Sequence, residues 1–319
     1  MGFLNGRKGD AKKFLEDLIG RNLVFVAKRS FSGRNKTCHI HDLLRELCLR
    51  EAQRENFMCL IKRDIHCLPA GINRQRRISF HSEFCGDLRS VPAIPHVRSF
   101  LMFSLGLGFP ADIFLLQLGF KLLRVLDIIF LRSEHFPTQI LKLVHLRYLA
   151  LTATYELPAS ISKLCNLQTL IIHGPWILSE NGESPTIFFE YWNMPWLRHL
   201  GFTVTCSLCI PPIPENNYPY PLAPILQTLS TIRLTSCTRE VFRSMPYLRR
   251  LAICETKEDH NTNETSKYLS NLVHLPLLEA LKCSFYRDAK PWRTLPWDAF
   301  PSNLRKLTLS WSYLPWEDM

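Results

Sequence analysis

The sequence contains no uninterrupted apolar run of about 18 residues, the length a membrane-spanning helix requires. Its greasiest stretch, 100–120, is broken by Gly106, Gly108, Pro110, Asp112 and Gln117, so no transmembrane segment is expected. The opening Met1-Gly2-Phe3-Leu4-Asn5-Gly6-Arg7-Lys8 lacks the apolar core of a signal peptide, and Gly6 stands where a myristoylation signal needs Ser or Thr. A cytoplasmic location is the resulting expectation. Polar low-complexity tracts are missing as well. With 46% hydrophobic and 21% charged residues and a mean hydropathy of -0.03, the chain should fold.

Catalytic signatures are equally scarce. The sequence has no Gly-x-Ser-x-Gly elbow, no His-Glu-x-x-His, no phosphate-binding Gly-x-x-x-x-Gly-Lys-Ser/Thr and no Gly-x-Gly-x-x-Gly. No enzyme is expected. The 11 cysteines are odd in number and scattered, which fits reduced, mostly buried thiols better than a disulfide framework. Cys206-x-x-Cys209 has no second Cys or His pair at a matching distance and is followed by Pro211-Pro212, so neither a metal nor a redox site is expected.

What the sequence does have is positive charge and a repeat. A formal net charge of +11 and a pI of about 9.2 favour acidic partners. Charge alone leaves nucleic acid, an anionic membrane surface and an acidic protein domain open, and dispersed Lys and Arg also serve as a solvated face. A chain of 319 residues suits two domains or one elongated array.

At the start, Phe14, Leu15, Leu18 and Ile19 fall at helical spacing, with Gly20 placed to end the helix. Leu23-Val24-Phe25-Val26 and Thr37-Cys38-His39-Ile40 flank Ser32-Gly33-Arg34-Asn35, a turn signal, and so form a hairpin like a wing. Asp42 can cap a helix running to about Arg54, with Leu43, Leu44, Leu47 and Cys48 as its buried stripe. Helix, hairpin and helix make the C-terminal part of a winged-helix domain over 1–62. Residues 63–96 read as a connector that carries the basic cluster Arg74, Arg76 and Arg77 and one or two strands, such as Arg77-Ile78-Ser79-Phe80.

From 97 to 319 the chain repeats itself. A shift of 21 residues superimposes Pro137 on Pro158, Ile140 on Ile161, Leu143 on Leu164, Leu146 on Leu167, Leu149 on Leu170 and Leu151 on Ile172. The shared Pro-x-x-Ile-x-x-Leu-x-x-Leu-x-x-Leu-x-Leu is a leucine-rich repeat, whose last Leu-x-Leu is a strand. Weaker copies lie at Leu123/Leu126/Ile128, Leu197/Leu200/Phe202, Leu229/Ile232/Leu234, Leu248/Leu251/Ile253, Leu278/Leu281/Cys283 and Leu304/Leu307/Leu309, with a possible first copy at Val97/Phe100/Met102. Each unit can bury its leucines only against a neighbour, so the repeats stack. Their unequal spacing predicts an irregular solenoid, and the fold class is α/β.

Side chains alternate along a strand, so the residues facing away from the leucines line a concave face. They include Tyr148, Ala150 and Thr152; Thr169, Ile171 and His173; and His199, Gly201 and Thr203. Thr231, Arg233 and Thr235 follow, then Arg250, Ala252 and Cys254; Ala280, Lys282 and Ser284; and Lys306, Thr308 and Ser310. No carboxylate occurs among them. Arg233, Arg250, Lys282 and Lys306 should form a discontinuous positive stripe that docks an acidic protein surface, or else an ordinary solvated face.

Cys38-His39-Ile40-His41-Asp42 fails as a metal site, because Cys38 points opposite to His39 and His41 on a strand. As a helix start, a capping Asp and a His at the positive helix end can meet an anion such as a nucleotide phosphate. Here a resemblance becomes specific. Thr37-Cys38-His39-Ile40-His41-Asp42-Leu43-Leu44-Arg45-Glu46-Leu47-Cys48, with Arg50-Glu51-Ala52, resembles the Met-His-Asp region of plant coiled-coil nucleotide-binding leucine-rich-repeat resistance proteins. It is most similar to their late blight resistance subfamily from nightshade plants. Leu307-Thr308-Leu309-Ser310 and Leu314-Pro315-Trp316-Glu317-Asp318-Met319 resemble that subfamily's repeats too.

The resemblance implies that His41 contacts the β-phosphate of ADP, that Asp42 is its structural partner, and that Ile40 takes the motif's Met position. It also implies ADP/ATP switching in full-length relatives, recognition of a pathogen effector or a guarded host protein by the repeats, and localised cell death. The relatives' coiled coil and phosphate-binding loops are expected upstream, so the chain reads as a fragment that binds no nucleotide tightly and needs no cofactor. In full-length relatives the intramolecular nucleotide-binding domain is a further partner. The Asn of the repeat consensus is replaced by Thr154, Thr205, Cys237, Thr256 and Ser312. The array is expected to stop within a repeat, leaving a leucine-lined end uncapped. Two other readings remain: a winged-helix nucleic-acid binder using Lys28, Arg29, Arg34 and Lys36, and a repeat adaptor of a ubiquitin ligase. The motif favours the immune reading, with no nucleic acid as partner.

Overall fold

The structure is a computed structural model that describes residues 8–29, 35–62, 71–81, 93–103, 119–131, 136–152, 157–174, 190–212, 223, 225–256, 259, 265–285 and 295–310. Two compact units divide the chain, 1–60 and 61–319. The first contains α1 (Lys8–Gly20), β1 (Val24–Arg29), β2 (Asn35–Ile40) and α2 (Asp42–Arg54). Apolar spacing and the turn residues give this order. β1 and β2 are antiparallel, with Val24 opposite Ile40 and Phe25 opposite His39, whose rings stack at 5.4 Å. Of the expected turn, 32–34 lie outside the described residues.

Two details of this unit correct the sequence reading. His41, not Asp42, caps α2: its backbone is extended, and its Nδ1 accepts a hydrogen bond from the Leu43 N–H at 3.3 Å. A capping residue must lie just outside the helix, whereas Asp42 already belongs to the first turn, where its charge complements the helix dipole. The stripe Leu43, Leu44, Leu47 and Cys48 is also not buried; Leu43 is 76% exposed and no residue of α2 is buried. Helical periodicity identifies the apolar side of a helix but not what covers it.

Eleven strands form one sheet in strict chain order: β3 (Cys59–Ile61), β4 (Arg77–Phe80), β5 (Ser99–Met102), β6 (Val125–Ile128), β7 (Tyr148–Thr152), β8 (Thr169–His173), β9 (His199–Cys206), β10 (Thr228–Arg233), β11 (Arg250–Cys254), β12 (Ala280–Ser284) and β13 (Lys306–Ser310). From β4 to β13 every neighbour pair is parallel. The leucines explain why. Leu126, Leu149, Leu170, Leu200, Leu229, Leu251 and Leu281 lie side by side, all but inaccessible to water, and each contributes about 1.5–3 kcal/mol by burial. The 21-residue offset is structural as well. Pro137 and Pro158 each open a 3-10 turn, 138–142 and 159–163, that tucks Ile140 and Ile161 beneath the sheet.

The array takes in Arg77–Phe80 of the segment expected as a connector, paired in register with Ser99–Met102. One copy departs from its expected register. Leu229 sits beside Leu200 and Leu251, and Ile232 beside Ile253, while Leu234–Ser236 is a 3-10 turn rather than strand. Thr231, at φ 59, is the extra residue of a bulge. That insertion stretches Leu-x-Leu to Leu-x-x-Ile, so the Leu229/Ile232/Leu234 reading ran three residues late, past a Leu226 that is buried.

Ties outside the leucine rows hold repeats in place. Tyr191 is buried, its hydroxyl bonded to Ser244 Oγ at 2.7 Å, and Ser244 donates onward to the Val241 carbonyl at 2.6 Å; burial pushes the Tyr191 phenol up to about 12. Gly174 must be glycine, because a Cβ there would lie 2.1 Å from Val204 Cγ1 and 2.8 Å from its Cβ. On β13, Leu307 is 37% exposed and Leu309 only half-buried.

Candidate protein-binding face

Strand pairing turns the alternation of side chains into rows across the face opposite the leucines. At the strand starts, Tyr148, Thr169, His199, Thr228, Arg250, Ala280 and Lys306 follow one another in register. One row on, Asp127, Ala150, Ile171, Gly201 and Ser230 align, as do Ala252, Lys282 and Thr308. The open face is thus a mixed polar surface on a rigid leucine base.

Asp127 is the residue sequence reasoning missed. It lies between the buried Leu126 and Ile128, so reading the middle residue of that Leu-x-Ile would have found it, and a carboxylate does occur on this face. Tyr148 hydrogen-bonds the Asp127 carboxylate, and the charge of His173 on β8 reaches it. Asp127 also accepts a long bond, 3.5 Å, from the Ile129 N–H. Burial raises the Asp127 carboxyl above the usual carboxylate range, against the lowering effect of these partners. Burial lowers the His173 imidazole, partly offset by Asp127. Three neighbouring strands thus converge on one acid, one phenol and one imidazole. His199 forms a second polar pair, its Nδ1 3.1 Å from Thr228 Oγ1.

The expected positive stripe is shorter than read. Arg233 lies opposite Cys254 at the far end of its strand, and its Nε donates to Asp259 Oδ1 at 2.9 Å. Asp259 is inaccessible to water and also accepts from the Thr256 N–H and hydroxyl. Arg233 therefore stands in the row of Cys254, and the ion pair ties it to Asp259. Arg250, Lys282 and Lys306 remain exposed. Arg250 and Lys306 flank Ala280 across two strand spacings, roughly 10 Å apart by sheet geometry. That is slightly more than one Debye length at physiological salt, about 8 Å, so each acts largely as a separate charge.

The motif residues Ile40, His41 and Asp42 occupy the end of β2 and the start of α2. With Nδ1 accepting from the Leu43 N–H, Nε2 is the ring atom left for an outside partner. His41 can supply one such contact at a helix N-terminus. Among the described residues no group of three or more His, Cys, Asp or Glu is placed to hold a metal, and no helix is long and apolar enough to cross a membrane. Cys206 is buried and its thiol pushed far up by burial. The expectation of mostly buried thiols holds for Cys59, Cys206, Cys237 and Cys283, whereas Cys38, Cys48 and Cys165 are exposed.

A parallel sheet of stacked short strands, leucines on one side and a polar open face on the other, defines a leucine-rich-repeat protein. The chain belongs to the leucine-rich repeat region family, whose model matches residues 96–316. Its relatives are plant disease resistance proteins. It is 31% identical over 335 residues to the ToMV resistance protein Tm-2(2) of Solanum lycopersicum, covering 94% of this chain and 37% of that protein. It is 32% identical over 326 residues to the putative late blight resistance protein homolog R1B-14 of Solanum demissum, covering 95% of this chain and 23% of that one. The chain therefore spans well under half the length of these relatives.

Proposed function

We propose that this chain is part of a plant intracellular immune receptor whose open face recognises a pathogen effector or a guarded host protein, and that it acts by binding and catalyses nothing. The observation that carries this reading is the match to resistance proteins along 94% of the chain, combined with a polar face held rigid by buried leucines. The helix–hairpin–helix unit is read as the end of a winged-helix module, with His41 as the phosphate-contacting residue of a nucleotide switch and Asp42 supporting it. ADP or ATP would be held mainly by the nucleotide-binding domain of a full-length receptor. The exposed Arg250, Lys282 and Lys306 favour an acidic protein surface as the recognised patch, and the Asp127, Tyr148 and His173 cluster supplies a polar anchor beside it.

The test places this chain in the matching position of the tomato relative and expresses the hybrid in leaves with candidate effectors. Localised cell death with one effector, lost on R250E/K282E/K306E although the protein accumulates normally, is the expected result. An effector response that survives these changes together with Tyr148→Ala would overturn the assignment to the open face. A salt-dependent affinity for duplex DNA comparable to that of a dedicated binder would instead favour the nucleic-acid reading.

A further inference from the structure

A second surface runs along the strand-start edge of the sheet, one residue before each strand. There the backbone N–H of each repeat donates to the carbonyl of the same position in the repeat before. Arg98 donates to Arg76, Arg124 to Arg98 and Arg147 to Arg124, each at 2.8 Å. The ladder continues through Gln168, Arg198, Gln227, Arg249 and Glu279 to Arg305. Seven of its ten positions are arginine, none is lysine, and the first four form an unbroken arginine run. With neighbouring strands about 4.8 Å apart, this run holds four guanidinium groups within roughly 15 Å.

Such a run carries a cost in the fold. The leucines hold the sheet together, and like charges on adjacent strands destabilise it. Arg76, Arg98 and Arg147 are exposed and Arg124 half-exposed, and among the described residues none of the four forms an ion pair. Arg77, next in the chain to Arg76, has its guanidinium lowered by burial and then by the charges of Arg76 and Arg98, so this edge is crowded with positive field. The ladder's one acid, Glu279, is paired with Arg249. Two residues before the ladder, on the same side of each repeat, stand exposed apolar groups: Leu122, Trp196 at 55% and Tyr247 at 53%. The last two sit in matching segments, Met194-Pro195-Trp196-Leu197-Arg198 and Met245-Pro246-Tyr247-Leu248-Arg249.

We infer that the strand-start edge is a docking surface for an acidic polypeptide segment, separate from the open face. Its Asp and Glu side chains accept paired N–H bonds from the ladder arginines, while its apolar residues meet Leu122, Trp196 and Tyr247. Arginine rather than lysine suits carboxylates, because the guanidinium fork binds both oxygens at once. Arginine beside exposed aromatics, with lysine absent, is the composition of a protein interface, and this favours a polypeptide over nucleic acid. The inference rests on the repeat architecture and stands or falls independently of the immune reading.

The test uses the full chain and a fluorescent peptide alternating Glu and Asp with Leu, compared with a single-stranded oligonucleotide of equal charge. The peptide should bind more tightly than the oligonucleotide. R98E/R124E/R147E should weaken it about tenfold or more, and R98K/R124K/R147K should weaken it less, since charge remains but the fork is lost. R250E/K282E/K306E should leave it unchanged. A separate readout guards against misfolding: R98Q/R124Q/R147Q relieves repulsion, so at low salt its Tm should match or exceed that of the parent. Unchanged peptide affinity in the folded R98Q/R124Q/R147Q variant, or tighter binding of the oligonucleotide, would overturn the proposal.

Discussion

Asp127 and His173 show how a face built on leucines adjusts single groups. Both are half-buried, and burial disfavours the charged form of each: the Asp127 carboxyl is raised and the His173 imidazole lowered. The consequences for stability have opposite signs. A lowered imidazole binds its proton less readily in the folded chain, so His173 contributes full stability above its unfolded value, near 6.5, and loses it as pH falls through that value. A raised carboxyl binds its proton more readily when folded, so the burial cost at Asp127 is relieved as pH drops through its raised value. The two are coupled, because the Asp127 charge lifts His173. Asp127→Asn should therefore move the His173 titration, followed by the imidazole NMR signals, further down. An unchanged or higher midpoint would mean that the two groups do not interact across β7. This cluster was legible only in part, since Tyr148 and His173 followed from alternation along their strands while Asp127 lay in a copy whose strand core was noted but whose outward residue was not read.

At the scale of elements, the repeats were legible wherever leucine spacing was intact and illegible where one residue was inserted. Pro137-to-Leu151 and Pro158-to-Ile172 could be read directly, because the same residues form the same turn and strand twice. At β10 the bulge at Thr231 leaves three apolar residues that mimic the motif out of register, so the spacing puts Arg233 one row early, whereas it lies beside Cys254 and is tied to Asp259. The arginine ladder escaped notice for a different reason: its common feature is a backbone hydrogen bond between repeats, which periodicity of apolar residues does not mark. Helix α2 is a third case. Its start was read within one residue, but with no buried side chain the helix depends unusually on local terms. Replacing the capping imidazole in His41→Ala should cost about 1 kcal/mol of helix stability, whereas His41→Asn, a better cap, should preserve it. Hydrogen exchange at Leu43 and Arg45 separates the two. Equal protection in both variants would show that the cap contributes nothing.

Across the whole molecule, stability comes from neighbours rather than from a central core. Each repeat buries its leucines against the one before and the one after, so a residue's cost of loss depends on how many neighbours cover it. Leu170 lies within the sheet, inaccessible to water, with Leu149 on one side and Leu200 on the other. Leu307 has Leu281 on one side and is more than a third exposed. Truncating Leu170 to Ala should cost about 2–5 kcal/mol, through lost burial and the cavity left between two repeats. Leu307→Ala should cost clearly less, about 1 kcal/mol, because the transfer term is already partly forfeited to water. Urea unfolding of the full chain followed by fluorescence of the tryptophans measures both. A central substitution should also lower the cooperativity of the transition, since it loosens the coupling between the two halves of the array, while the edge substitution shifts the midpoint without changing the slope. Equal costs at the two positions would mean that the leucines share one common core, and the parallel stack would then not be the source of stability.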